Sequence, residues 1–159
     1  MTDLISTPPA PASPAGSKVE TGPWWPDIDV NAVRAQVNLG GTTIAHERLF
    51  AAITQGALQT MRELADWQVA QIANGKANLA AVDPDNMIGG QPVLVVEFLR
   101  AVAMSAAAEL ADGHLDLTAT QEGTDRAESR MEMADRFRRA AVHAIRAITG
   151  QTGALVDLV

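Results

Sequence analysis

Cysteine is absent from the 159 residues, which excludes a disulfide framework, a cysteine-based zinc site and a thiol nucleophile. Aromatic residues make up only 4%. Alanine is abundant, and that combination suits close-packed helices better than sheets. Positive charge is in deficit: the formal net charge is −7, so the whole chain is a poor nonspecific binder of nucleic acid. The histidines His46, His114 and His143 fall in no metal-ligand spacing, and His114 with Asp116 is a chance pair. No glycine-rich phosphate loop follows a strand, and no serine sits in a GxSxG elbow. Asp83 and Asp85 flank Pro84 and read as a solvated turn rather than an acid–base pair. An enzyme is therefore not expected, and neither is a cofactor or a metal.

Hydrophobic residues reach 47%, enough for one real core in a chain of this length. The N-terminus has no basic n-region and no apolar h-region, so a secretory signal is not expected. Val93–Leu110 is the longest apolar stretch, yet Glu97 and Arg100 interrupt it and alanine dominates its second half. It reads as a buried helix, not a membrane span.

Residues 1–22 carry Pro8, Pro9, Pro11 and Pro14 among alanine, serine and threonine. Such a segment cannot bury enough apolar surface to offset its ordering entropy, so a flexible arm is expected. At its root lies Pro23-Trp24-Trp25-Pro26-Asp27-Ile28-Asp29. An exposed tryptophan pair is unfavourable in water, so Trp24, Trp25 and Pro26 are expected to pin the arm to the body or to a neighbouring subunit.

Four helices are expected in a body spanning 23–150. Asp29 caps a short one over 30–38, with Val30, Val33 and Val37 on one face. Gly40-Gly41 stops it, and Thr42 or Thr43 caps a long helix over 44–74, ended by Gly75. Its stripe is Leu49, Phe50, Ile53, Ala57, Met61 and Leu64, with Trp67 beside it as core or inter-subunit packing. Residues 75–91 read as a loop with one possible helical turn. Pro92 opens a helix over 92–112, apolar on nearly all sides and therefore central. After a connector at His114–Gly123, a last helix covers 124–149, with pairing from Glu122 allowing an earlier start. Met133, Phe137, Ala141, Ala144, Ile145 and Ile148 form its stripe. Glu122/Arg126, Glu132/Arg136 and Asp135/Arg139 are acid-before-base pairs four apart. The fold class is thus all-α, a small bundle of three long helices and one short. Residues 151–159 follow as a tail, in which Ala154, Leu155, Val156, Asp157, Leu158 and Val159 are β-prone and need a partner strand.

Arg136, Arg138 and Arg139 could suggest a nucleic-acid contact, but Glu128, Glu132 and Asp135 favour a solvated, salt-bridged face. Residues 83–122 are acidic: Asp83, Asp85, Glu97, Glu109, Asp112, Asp116 and Glu122 stand against Arg100 alone. In a ring, part of this surface could line a lumen that repels duplex DNA and lets it slide.

The order of these elements resembles the head completion/stabilisation proteins (the L proteins) of Peduovirus-like contractile-tailed phages. The resemblance rests on Trp24-Trp25-Pro26-Asp27-Ile28-Asp29, Gly41-Thr42-Thr43, Glu47-Arg48-Leu49 and Leu64-Ala65-Asp66-Trp67 with Gln68 and Gln71. The helices near 93–110 and 125–148 and the tail Gly153–Val159 complete it. It implies a virion protein of the head–tail neck, assembled in the host cytoplasm, that forms a homo-oligomeric, twelvefold ring beneath the portal protein after DNA packaging. It would stabilise the filled head and offer a docking surface to the tail or to a gatekeeper or terminator protein. Packaged DNA would pass through the lumen without specific binding, and no membrane is involved. The alternative is an oligomeric helical DNA-binding protein of packaging or regulation, using the arginine cluster.

Overall fold

A computed structural model describes residues 12–37, 44–113 and 121–150, without the side chains of 121–130. Residues 1–11 of the expected arm, the turn at Gly40–Thr43, the connector from His114, the Glu122/Arg126 pair and the tail 151–159 lie outside the described residues.

The body is mostly helical. Its elements are β1 (Lys18–Val19), β2 (Ile28–Asp29), α1 (Val30–Gln36), α2 (His46–Glu63), α3 (Ala65–Ala73), a 3₁₀ turn (Leu79–Ala81), β3 (Met87–Ile88), β4 (Gln91–Pro92), α4 (Val93–Asp112) and α5 (Gln121–Thr149). The all-α expectation is corrected by two minimal antiparallel pairs, β1 with β2 and β3 with β4. Gly89 and Gly90 have φ of 58° and 79°, the left-handed pair that a two-residue hairpin turn requires.

The expected helix over 44–74 is two helices. At Leu64 the backbone relaxes to φ −96° and ψ 3°. Its amide still reaches the Thr60 carbonyl at 3.1 Å, and Gln68 N–H reaches the Leu64 carbonyl at 2.8 Å. The apolar spacing continues through the joint, which is why periodicity alone reads one helix. The short helix begins as expected: the Asp29 carboxylate accepts from Ala32 N–H at 2.9 Å. Pro92 precedes its helix rather than opening it, and α5 starts at Gln121.

Residues 12–22, assigned from sequence to the arm, lie against the body. Arg34 donates to the Ser13 hydroxyl at 3.0 Å and to the Ile44 carbonyl at 2.8 Å. Asn31 donates to the Pro14 carbonyl and accepts from Ser13 N–H. Val30 N–H reaches the Ser17 carbonyl, and Val19 is buried. These contacts satisfy polar groups that composition alone leaves to solvent.

α4 is the central helix, with α2 on one side and α5 on the other. Phe98 and Val102 are fully buried, as are Ala101, Ala103, Ala106 and Ala107. Burying each large apolar side chain stabilises by about 1.5–3 kcal/mol. The small ones act through distance: a Cβ at Gly56 on α2 would meet the Val102 carbonyl at 2.8 Å and Ala106 N at 3.0 Å. Both of those atoms are backbone, so neither can swing aside. Gly56→Ala gains about 1 kcal/mol of helix propensity but forces the helices apart, and a net loss of about 1–3 kcal/mol is expected in urea unfolding. A more stable alanine variant would contradict this close approach.

Candidate docking surfaces

The Pro23–Pro26 run gathers one end of the bundle. The Trp25 ring stacks on Phe98 of α4, with centroids 4.7 Å apart and planes at 16°. Trp24 meets Trp25 edge-on at 4.5 Å and Trp67 of α3 edge-on at 6.0 Å. Trp24 Nε1–H donates to the Lys76 carbonyl at 3.1 Å, and the Trp24 carbonyl accepts from Leu79 N–H at 3.0 Å. Both rings are therefore buried within this chain, at 8% and 5% exposure, while Pro26 is half-buried at the rim. Pro23, Trp24, Trp25, Pro26, Leu79 and Val95 border a cavity of about 210 Å³. Trp25 Nε1–H finds no acceptor among the described residues. Lys18 bridges Asp27 at 2.7 Å, and that hydrogen bond holds the Asp27 carboxyl below its ordinary value. A depressed carboxyl favours the fold above the ordinary aspartate pKa, and this contribution fades as pH falls through the lowered value.

Arg48 of α2 lies against Gly113 at the end of α4, and Arg138 of α5 pairs with Asp112 there. α2 and α5 thus both run antiparallel to α4. From Arg138 beside Asp112, α5 runs back along α4, with Val142 and Ser105 bordering one groove. Gly150, at φ 70°, closes α5. Ala154, Leu155, Val156, Asp157, Leu158 and Val159 lie outside the described residues.

Apolar side chains also face outward. Phe50 and Leu58 on α2, Val69 and Ile72 on α3, and Met87 and Ile88 on the hairpin are exposed. Phe50 had been expected within the core stripe; it lies at that stripe's edge. The hairpin pair escaped sequence reading because Gly89-Gly90 signals a turn without naming its strands. On α5, Asp135 pairs with Arg138 at 2.8 Å, three residues on, rather than with Arg139. Arg138 spans Asp135 and Asp112, beside a groove of about 430 Å³ bordered by Gln59, Ser105, Glu109 and Val142. Arg136, Arg139 and Arg146 carry no ion pair among the described residues, so the expected Glu132/Arg136 pair is also not formed. Among the described residues no three His, Asp or Glu side chains gather as a metal site, and no helix is long and apolar enough to cross a membrane.

The tryptophan end makes two unequal substitutions. Trp25→Ala empties the face of Phe98 and is expected to cost about 3–5 kcal/mol. Trp24→Phe leaves the Lys76 carbonyl without its donor and is expected to cost about 1–3 kcal/mol. Urea unfolding measures both, and a Trp25→Ala loss below that of Trp24→Phe would contradict the stacking.

Comparison with known proteins gives one consistent result. The family model described as phage head completion protein (GPL) matches residues 19–159. The head completion/stabilization protein of Escherichia phage P2 is 31% identical over 168 residues, covering 99% of this chain and 98% of that protein. No solved structure matches. With a full-length relative and a family model that takes in everything from β1 onward, the chain belongs to the phage head completion protein (GPL) family.

Proposed function

We propose that this chain is a structural, non-enzymatic head–tail connector of a phage virion. In this reading, copies form a ring beneath the portal once DNA is packaged, twelvefold to match it. The ring stabilises the filled head and presents the surface on which the tail, or a gatekeeper or terminator protein, docks. The observation that carries the reading is membership in the head completion family, which places the chain's role in head assembly. A helical body whose sequence ends in an apolar run at 154–159 suits an adaptor between larger assemblies.

Residues 154–159 are the docking element of this reading. They would add a strand to the lower rim of the portal. Backbone hydrogen bonds supply the affinity and alternate side chains, Leu155 and Leu158 among them, the fit. Repetition around a ring multiplies a weak contact by avidity. The Trp24–Trp25–Pro26 root holds residues 12–22 of the leader against the body. DNA passes through the lumen without specific binding.

A second reading, an oligomeric DNA-binding protein, draws on the arginines of α5. Arg136, Arg139 and Arg146 are exposed and free of ion pairs among the described residues. The net charge of −7 opposes it.

Truncation after Gly150 separates the two. The truncated chain is expected to keep its helical circular dichroism while losing co-sedimentation with the portal protein of the same genome, and the full-length chain to show no salt-dependent retention of DNA. Undiminished portal binding by the truncated chain would remove the tail from the account.

A further inference from the structure

Residues 13–19 of the leader sit in a small receptor built from β2, α1 and the Asp27 carboxylate. Asn31 donates to the Pro14 carbonyl and accepts from Ser13 N–H. Arg34 donates to the Ser13 hydroxyl, and Val30 N–H to the Ser17 carbonyl. Lys18 and Val19 pair with Asp29 and Ile28, and Lys18 bridges Asp27. Val19 supplies the apolar part of the contact and is buried, as are Ile28 and Val30. None of these contacts requires the leader and the receptor to belong to one chain. The leader also carries its own turn, in which Ser17 N–H bonds to the Pro14 carbonyl, so it can move as a unit.

Only Glu20, Thr21, Gly22 and Pro23 join this segment to the tryptophans, and Glu20, Gly22 and Pro23 are exposed. Gly22 has φ of 90°, and a Cβ there would meet nothing within 4 Å. Glycine is thus required by the bend of the backbone and not by packing, which is the signature of a hinge. Beyond the hinge, Trp24 and Trp25 hold to Phe98, Trp67, Lys76 and Leu79, none of which belongs to the leader. The family model also begins at Val19, so the body that the family shares is defined without residues 13–18. A preformed segment, a glycine bend and an independently anchored base let the leader leave one receptor and enter an identical one.

Resting on the ring reading of the function, we propose that in the assembled protein residues 13–19 of each copy occupy the receptor of a neighbouring copy. Lys18 and Val19 then pair with the partner subunit's Asp29 and Ile28. The occupant follows from the structure, because this segment is seen seated in the receptor in that register. Each copy gives at its leader and takes at α1, two different places, so the contact is head-to-tail and can close a ring. The five residue steps from Trp24 to Val19 span at most about 18 Å, so only a copy in side contact receives the leader. In the dilute free chain the short hinge gives the chain's own receptor an effective concentration on the order of millimolar, and the leader stays there. Exchange begins when copies are held side by side.

The absence of native cysteine makes a cross-linking test direct. The Lys18–Asp29 pair adjoins the Val30–Ser17 hydrogen bond. It is therefore the close, non-hydrogen-bonded kind, about 4.5 Å between Cα atoms and within reach of a disulfide. Both side chains are exposed, so cysteine at either position spares the core, and helical circular dichroism checks that the variants fold. Full-length Lys18→Cys/Asp29→Cys is oxidised as a dilute free chain and again after addition to the portal protein of the same genome. The expected result is closure within single chains in the first case and a ladder of covalently linked chains in the second. A variant that joins the portal by native mass yet closes only within single chains would overturn the exchange. A portal mass that stays unchanged overturns the ring reading instead. The exchange is then decided by oxidising a mixture of full-length Lys18→Cys and full-length Asp29→Cys chains, without portal, at a concentration on the order of millimolar. A covalent dimer of the two variants supports the exchange, and its absence overturns it.

Discussion

The approach of α2 to α4 at Gly56 is the constraint on which the rest of the structure depends. At that point α2 lies so near the α4 backbone that no Cβ fits. Alanines at 101, 103, 106, 107 and 108 keep α4 thin, so that it can touch α2 and α5 at once. A helix flanked on two sides cannot have a polar stripe of ordinary width, which explains the nearly all-round apolar character of Val93–Leu110. Once α4 is central, the outer faces of α2, α3 and α5 are left as the surfaces available to partners. Dispersion between small side chains and backbone holds such a row only while the spacing is kept.

The tryptophan run closes the same end of the row. Trp25 lies flat on Phe98 and Trp24 bonds to the Lys76 carbonyl, so one short segment ties α4, α3 and the 3₁₀ turn together. The leader is tied in turn through Arg34, Asn31 and the Lys18–Asp27 bridge.

Much of the fold was legible. Asp29 as a cap, the buried Val30, Val33 and Val37 in and just after α1, the breadth of α4 and the stripe of α5 all follow from residue type and a 3.6-residue period. The division at Leu64 was not legible, because a change in ψ at one residue leaves the apolar spacing intact. The hairpin was hidden because strands of two residues have no period to detect. The salt-bridged face on α5 was misread for a different reason: Arg138, not Arg139, has the geometry to serve Asp135 and Asp112 together. Burial of the tryptophan pair was foreseeable from its chemistry, but which elements it would join was not, since Phe98, Trp67 and Lys76 are remote in sequence. The tail Ala154–Val159 reads as a short apolar, β-prone run and lies outside the described residues.

The proposed function has the folded chain add to a filled head as a connector. The most direct test mixes the purified full-length chain with the portal protein of the same genome and measures the native mass of the complex. The account predicts a portal assembly that gains one copy per portal subunit. A well-folded helical chain that leaves the portal mass unchanged would contradict it.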